Sequence, residues 1–290
     1  MKSGFVNILG KPNAGKSTLL NALVGEKLAI VSSKVQTTRH RIRAFVNGPN
    51  YQIVFSDTPG VIEPKYKLHE KMMHAVTTSL EDADVCLLVV DLRDNFEELD
   101  QIFSSLKLKV KCILVLNKSD LVKQERVNAA KSFFSDKSYC SRIAVISAAT
   151  KGNVQELIND IVEMLPEGEA FYGEDELTDM PTKFFTGELI REKIFELFDE
   201  EIPYQSTVMV SKFEEQKLLI KIVAEIVVQR ESQKAIILGT KGAMIKKLGM
   251  LSRQSIEQFL DSKVYLELFV KVRSNWRNND LYLKEYGYIQ

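Results

Sequence analysis

The feature that most narrows what this chain can fold into is Phe5 to Thr18, FVNILGKPNAGKST. Phe5, Val6, Ile8 and Leu9 form a short apolar run that stops at Gly10, and the chain then reads G-x-x-x-x-G-K-S from Gly10 to Ser17, followed by a helical pattern. That order predicts strand, glycine-bounded loop and helix. Such a loop, here Gly10, Lys11, Pro12, Asn13, Ala14, Gly15, Lys16, Ser17 and Thr18, wraps backbone N–H groups around a phosphate chain. Lys16 adds a point charge, and the Ser17 hydroxyl is placed to ligate Mg2+. The helix that starts there turns its positive dipole end and its unpaired first-turn N–H groups toward the same phosphates. A turn that is merely Gly-rich accounts for neither the strand before it nor the helix after it.

At 290 residues the chain has room for roughly two domains. With 45% hydrophobic and 27% charged residues it can bury proper cores, which argues against global disorder or a coiled coil. Lys+Arg and Asp+Glu both number 39, so the neutral total hides any local asymmetry. No signal peptide is expected where Phe5 already begins a strand, and apolar runs such as Val85 to Val90 are too short to span a bilayer. A soluble, cytoplasmic protein is the expectation. Cys86, Cys112 and Cys140 fall in or beside predicted buried strands without metal-ligand spacing, which reads as buried thiols in a reducing compartment.

Helix Ser17–Val24 is predicted to stop near Gly25, and the polar segment Glu26 to Arg41, carrying VQTTRHR, has no period of its own. Arg41 to Val46 and Tyr51 to Ser56 alternate as two strands around NGPN, a hairpin signal. The second runs into Asp57-Thr58-Pro59-Gly60. An aspartate at the tip of a buried strand near a phosphate loop holds Mg2+, and Gly60 frees a backbone N–H to face a γ-phosphate. Standing alone, DTPG would read as an ordinary Pro-Gly turn; its place two strands beyond the loop changes the reading. Helices over Lys71–Glu81, Glu97–Leu106 and Asn153–Leu165 alternate with strands over Val85–Asp91, Lys111–Leu116 and Ile143–Ile146. This predicts an α/β domain, a mostly parallel sheet with helices on both faces and the ligand at the strand C-terminal ends.

Two of those strand ends carry further motifs. Guanine offers N1–H and N2–H donors on one edge, which a carboxylate accepts in bidentate fashion, whereas adenine has no such pair. In Asn117-Lys118-Ser119-Asp120 the carboxylate of Asp120 therefore selects GTP over ATP. Asn117 would tie the base to the phosphate loop, and the Lys118 stem would lie along the ring. Ser147-Ala148-Ala149 presents backbone N–H to guanine O6.

From Pro166 to Thr182 the composition changes to six acids and no base, a boundary segment expected to lie over the first domain. Helix Phe185–Phe198 follows, with Arg191 and Lys193 expected mostly outward, and then alternating stretches Ser206–Phe213 and Leu218–Val228. A helix with Lys234, the turn Gly239-Thr240-Lys241-Gly242 and a basic amphipathic helix with Lys246 and Lys247 form the arrangement of a KH module, whose two glycines let a tight turn clamp single-stranded RNA. The last strand, Val264–Val272, completes the order α-β-β-α-α-β of a type II KH domain, an α+β unit. Between Arg230 and Arg277 there are ten basic and four acidic residues, a local excess suited to phosphate contacts at Arg273 and Arg277 as well. A merely solvated basic face has the same charge signature. The tail aromatics Trp276, Tyr282, Tyr286 and Tyr288 either stack on bases or pack the final helix.

GKPNAGKS, the paired threonines, DTPG, NKSD and SAA resemble the G motifs of translation-associated GTPases, and a G domain followed by a type II KH domain resembles the Era family over essentially the whole chain. The resemblance implies a G domain over 1–166, an acidic linker over 167–182, a KH domain over 183–273 and a tail over 274–290. It makes Thr38 rather than Thr37 the switch threonine, and Ser17, Thr38 and Asp57 the Mg2+ set. Lys16, Thr38 and Gly60 become the catalytic residues and Val61 part of the nucleotide site. His40 reads as a solvated switch residue. Asn13 either caps its own loop or matches the asparagine that cation-dependent relatives use to hold K+ beside the phosphates. The function implied is GTP hydrolysis to GDP, slow on its own, coupled to binding of the 3′ end of 16S ribosomal RNA and maturation of the 30S subunit. The implied protein is a monomer, with some relatives found peripherally on the cytoplasmic face of the inner membrane. Two rival readings are an RNA-binding regulator whose nucleotide is only structural and a GTPase of tRNA modification or membrane trafficking. The complete set of phosphate and Mg2+ groups opposes the first, and the GxxG unit with its basic surroundings opposes the second.

Overall fold

The structure, a computed structural model, describes residues 1–32, 34 and 36–289; Val35, the first residue of VQTTRHR, lies outside the described residues. The chain divides into two compact units. One comprises Met1–Ala29, Thr38–Glu63 and Met72–Asp179, the other Ile30–Thr37, Pro64–Lys71 and Met180–Gln290.

In the first unit, β1 (Lys2–Gly10), β2 (Ile42–Gly48), β3 (Tyr51–Asp57), β4 (Val85–Asp91), β5 (Lys111–Asn117) and β6 (Arg142–Val145) make one sheet in the order β2-β3-β1-β4-β5-β6. Only β2 runs antiparallel, paired with β3 through the short NGPN connection; the other pairings are parallel. A parallel sheet covered on both faces needs strands that are apolar continuously rather than alternately. β4 meets that demand, since all seven residues of VCLLVVD are buried. Each fully buried Val or Leu there stabilises the fold by about 1.5–3 kcal/mol. The connecting helices are α1 (Lys16–Val24), α2 (Lys67–Glu81), α3 (Phe96–Ser105), α4 (Gln124–Phe134) and α5 (Val154–Met164). α1 ends where Gly25 takes a left-handed φ of 87°. α4 was not anticipated, because it buries only Val127, Ala130 and Phe134 and so has a sparse apolar stripe.

The acidic segment packs on the first unit as far as Asp179. Gln52 is fully buried, accepts from the N–H groups of Phe171 and Tyr172 at 2.6 and 3.0 Å, and donates to the Tyr172 carbonyl at 2.9 Å. Tyr172 stacks on Phe45 at 3.8 Å between centroids, and Phe45 N–H donates to Leu177 O at 2.9 Å. The segment thereby covers β2, an edge strand whose unpaired backbone groups would otherwise template association.

In the second unit, α6 (Thr182–Leu197) and the single turn α7 (Ile202–Gln205) precede β7 (Thr207–Glu215) and β8 (Ile220–Val228). Then come α8 (Glu231–Leu238), α9 (Ala243–Leu260), β9 (Val264–Val272) and α10 (Asp280–Glu285). The sheet order is β7-β8-β9, antiparallel between β7 and β8 and parallel between β8 and β9. Ile194, Phe198, Ile226, Ile237 and Leu248 join in its core. Two expectations are corrected here. Arg191 is not outward: it is 1% exposed, its guanidinium pairs with the Glu188 carboxylate, and it donates to the Thr37 carbonyl of the same unit. Lys193 is also half-buried, with its ammonium on Glu196 at 2.7 Å. Both follow from α6 being covered around most of its circumference, so that long cationic stems lie against apolar neighbours.

Candidate functional site

The phosphate loop is shaped by its glycines. Gly10 has φ 155°, and a Cβ added there would stand 2.5 Å from the Val89 carbonyl oxygen. At Gly15, φ 95°, it would stand 2.4 Å from Asn117 Nδ2. No L side chain fits either position, which is why backbone rather than side chains faces the enclosed space. Asn13, at the exposed tip, is left-handed with φ 64°. Ala14 is buried, Lys11 pairs with Glu98 at 2.8 Å, and Thr18 lies in α1. Lys16 is buried, and its ammonium donates to the carbonyls of Gly10 and Lys11 at 3.1 and 2.9 Å. Burial lowers its pKa to about 8 against the opposing pull of Asp57.

Three oxygens converge beside it. Ser17 Oγ lies 2.8 Å from Thr38 Oγ1 and donates to Asp57 Oδ2 at 2.8 Å, with Thr38 Oγ1 3.4 Å from the same oxygen. Asp57 is fully buried, and its other oxygen, Oδ1, has no hydrogen-bond partner among the described residues. A buried carboxylate oxygen left unpaired is costly, and burial accordingly pushes the Asp57 carboxyl above the usual carboxylate range. Two hydroxyls and a half-satisfied carboxylate are the hard oxygen donors that Mg2+ takes, so the residues present fit that ion. The neighbouring Thr37 hydroxyl instead donates to Lys34 O at 2.8 Å, a local backbone cap. Thr58 is tied to Ile8 O at 3.0 Å and Pro59 is buried. Gly60 approaches the loop so closely that an added Cβ would meet Pro12 N at 2.9 Å. Val61 follows, half-buried.

At the next strand end, Asn117 is buried and joins three segments. Its Nδ2 donates to Ala14 O at 2.9 Å and its Oδ1 accepts from Ala148 N–H at 3.0 Å. Ser147 Oγ caps Thr150 N–H at 3.2 Å, while Ala149 is exposed. Lys118 adopts φ 63° and heads a 3-10 turn, Ser119–Leu121, that leaves Asp120 exposed. The loop, DTPG, NKSD and SAA residues therefore gather at one end of the sheet. Sequence reasoning did not find Asp91, which ends β4 and pairs with Lys118 at 2.7 Å. Its signal was present: like Asp57 and Asn117, it is the last residue of a buried strand.

The second unit holds a basic turn. α8 ends at Gly239, φ 69°, where a Cβ would collide with Met244 at 2.6–2.9 Å, whereas at Gly242, φ 77°, it would make only ordinary contact with Ile245 Cγ2 at 3.9 Å. Between them Thr240 and Lys241 are exposed, as are Lys246 and Lys247 on α9, and Lys234 is half-buried. Arg273 is exposed after β9, and the Arg277 guanidinium lies 4.2 Å from the centre of the Tyr66 ring. Trp276 must be withdrawn as an RNA contact. It is fully buried, its indole N–H donates to Gln205 O at 3.0 Å, and Tyr286 and Tyr288 surround its ring.

Comparison with known proteins finds two family matches along the chain. Residues 5–118 match the family described as 50S ribosome-binding GTPase, and residues 201–277 match the KH domain family. GTPase Era of Geobacter sp. (strain M21) is 43% identical, covering 99% of this chain and 98% of its own. GTPase Era of Carboxydothermus hydrogenoformans is 42% identical, with 100% and 98% covered. Among solved structures, a tyrosine-to-alanine variant of Aquifex aeolicus Era bound to GDP and AlF4− is similar with a TM-score of 0.94 at 39% identity, over 100% of both chains. Era in complex with MgGDPNP and nucleotides 1506–1542 of 16S ribosomal RNA reaches 0.93 at 39% identity, again over 100% of both chains.

Proposed function

The chain belongs to the Era family of GTPases, and from that premise we propose that it hydrolyses GTP to GDP and phosphate while its second unit binds the 3′ end of 16S ribosomal RNA during 30S subunit maturation. The observation that carries the reading is the Ser17, Thr38 and Asp57 cluster with its unpaired buried carboxylate oxygen, built beside a buried Lys16. The G domain would occupy 1–166, the linker 167–182, the KH domain 183–273 and the tail 274–290.

In this assignment the loop N–H groups and Lys16 hold the β- and γ-phosphates and offset the charge that grows on them during transfer. Ser17, Thr38 and Asp57 hold Mg2+, which when bound neutralises phosphate charge. Thr38 and Gly60 report the γ-phosphate, the latter through its backbone N–H. Asp120 accepts from the guanine edge, Ala148 N–H faces its O6, and Lys118 lies along its ring. Val61 stands where other GTPases place a glutamine to orient water, and it can neither donate nor accept a hydrogen bond. Slow intrinsic turnover follows. The Asn13 side-chain oxygen, at the exposed tip of the loop, is the type of ligand that would hold K+ there. In the second unit Gly239 to Gly242 clamps the RNA backbone, with Lys234, Lys241, Lys246, Lys247, Arg273 and Arg277 supplying charge.

No helix among the described residues is long and apolar enough to cross a membrane. A cytoplasmic monomer with reversible, peripheral membrane association is the reading adopted.

Single-turnover GTP hydrolysis, with and without an oligonucleotide of the 16S 3′ end, tests the proposal. Hydrolysis that requires Mg2+ and a labelled oligonucleotide that crosslinks near Gly239–Gly242 are expected. Tight GTP binding without turnover would favour the structural-nucleotide reading, and no RNA crosslink would favour the tRNA-modification or trafficking class.

A further inference from the structure

Asp91 is placed and partnered in a way that the motifs of the nucleotide site do not explain. It closes β4 directly beside Asn117 in the β5 register, and its side chain is only 7% exposed. Oδ2 accepts from Lys118 Nζ at 2.7 Å and from Arg93 Nη2 at 2.7 Å. Oδ1 accepts from Arg93 Nε at 2.9 Å and from Arg93 N–H at 3.0 Å. The turn that follows is itself fastened. Arg126 donates to the carbonyls of Leu92 and Asp94 and lies 3.7 Å from the centre of the Phe96 ring.

The Lys118 ammonium has a second anchor, Asn13 O at 2.6 Å. Its side chain is thus fixed at the strand end by Asp91 and at the phosphate loop by Asn13. In between, the stem runs past Gly15, where an added Cβ would be in ordinary contact with Lys118 Cε at 3.7 Å. A lysine held by one carbonyl alone keeps much of its rotamer freedom, which a ligand must then remove; a charge-assisted partner removes it in advance.

We infer that Asp91 is a positioning residue for guanine-nucleotide binding, which pins Lys118 so that its stem is already set as the platform along the base. This rests on the nucleotide reading above, in which Lys118 lies along the ring. The Asp91 carboxylate is taken up by Lys118 and Arg93. Its effect therefore runs wholly through Lys118, and it should be the same for GDP and GTP.

The test is a double-mutant cycle on the full chain with fluorescent GDP and GTP analogues: wild type, Asp91→Ala, Lys118→Met and the pair. Asp91→Ala is expected to weaken both nucleotides by about tenfold, the scale of one long side chain losing its preorganisation. Asp91→Asn, which keeps an acceptor of the same shape, should fall between and covers the case in which alanine impairs folding. In the Lys118→Met background, removing Asp91 should change affinity less than about twofold. Equal loss in both backgrounds would overturn the assignment, as would wild-type affinity in Asp91→Ala. Failure of the wild type to bind guanine nucleotides would instead defeat the nucleotide reading, so the two failures are distinguishable.

Discussion

The Asn117 side chain donates to the Ala14 carbonyl at 2.9 Å, fastening the end of one strand to the middle of the phosphate loop. It also receives Ala148 N–H at 3.0 Å, and all of this is buried. Asn117→Ala would leave two buried backbone groups unpaired, at about 1–3 kcal/mol each. A loss of about 2–6 kcal/mol is expected even without nucleotide, because the bonds are internal to the protein. Thermal unfolding of the nucleotide-free variant checks this, and an unchanged midpoint would contradict it.

Asp120 is exposed in a turn whose geometry is set by Lys118 at φ 63°, so replacing it costs little structure. Asp120→Asn places a donor where guanine also donates, while xanthine offers a carbonyl there. Preference should move from GTP to xanthosine triphosphate by at least about tenfold, the loss that follows from leaving donors unpaired. A competition assay in which the variant still prefers GTP would remove the role of Asp120.

The two glycines of the basic turn call for different probes. Gly239 has Met244 backbone within 2.9 Å of any Cβ, so a substitution there disturbs the turn itself. At Gly242 a Cβ would meet only Ile245 Cγ2, at an ordinary 3.9 Å, although φ 77° adds some strain. Gly242→Asp should therefore fold and set a carboxylate against the RNA backbone. RNA affinity is expected to drop at least about tenfold with GDP affinity unchanged. Normal RNA binding at moderate salt would sink the KH assignment.

Asn13 has φ 64°, a conformation that asparagine tolerates and alanine does not share readily. Asn13→Gly keeps the backbone and deletes only the side chain, which separates loop capping from cation binding. With K+ beside the phosphates, kcat in potassium chloride should exceed that in sodium chloride severalfold at equal ionic strength, and the difference should vanish in Asn13→Gly. Equal rates in both salts, or a potassium effect that survives the substitution, would end the K+ reading.

Arg191 and Glu188 form a buried pair on α6. Arg191→Ala breaks this buried pair and should cost about 3–5 kcal/mol, whereas Arg191→Met with Glu188→Leu should be far milder. Urea denaturation followed by circular dichroism distinguishes them; equal losses in the two variants would be evidence against a charge effect.

Much of this was legible in the sequence for a physical reason: phosphate loops and guanine sites are made of local backbone geometry and short motifs at strand ends. The continuous apolar run of β4 and the glycines flanking Lys16 carry their structure within a few residues. What escaped depended on distant partners. Arg191 reads as an outward cation until Glu188 and Thr37 are seen around it. The acidic segment reads as lying over the first domain, yet nothing in its own composition reveals Gln52 and Phe45 as its anchors. α4 hid behind a sparse apolar stripe, and Trp276 stayed open between stacking and packing because a tail aromatic has the same appearance whether it faces solvent or a core.

The burial of that one indole makes the chain its own spectroscopic probe. Trp276 is the single tryptophan in 290 residues, and it belongs wholly to the second unit. Selectively excited indole emission should shift to longer wavelength when that unit opens and stay silent while the first unit melts. Comparing it with the circular dichroism of the whole chain would give the two units separate unfolding curves without any label.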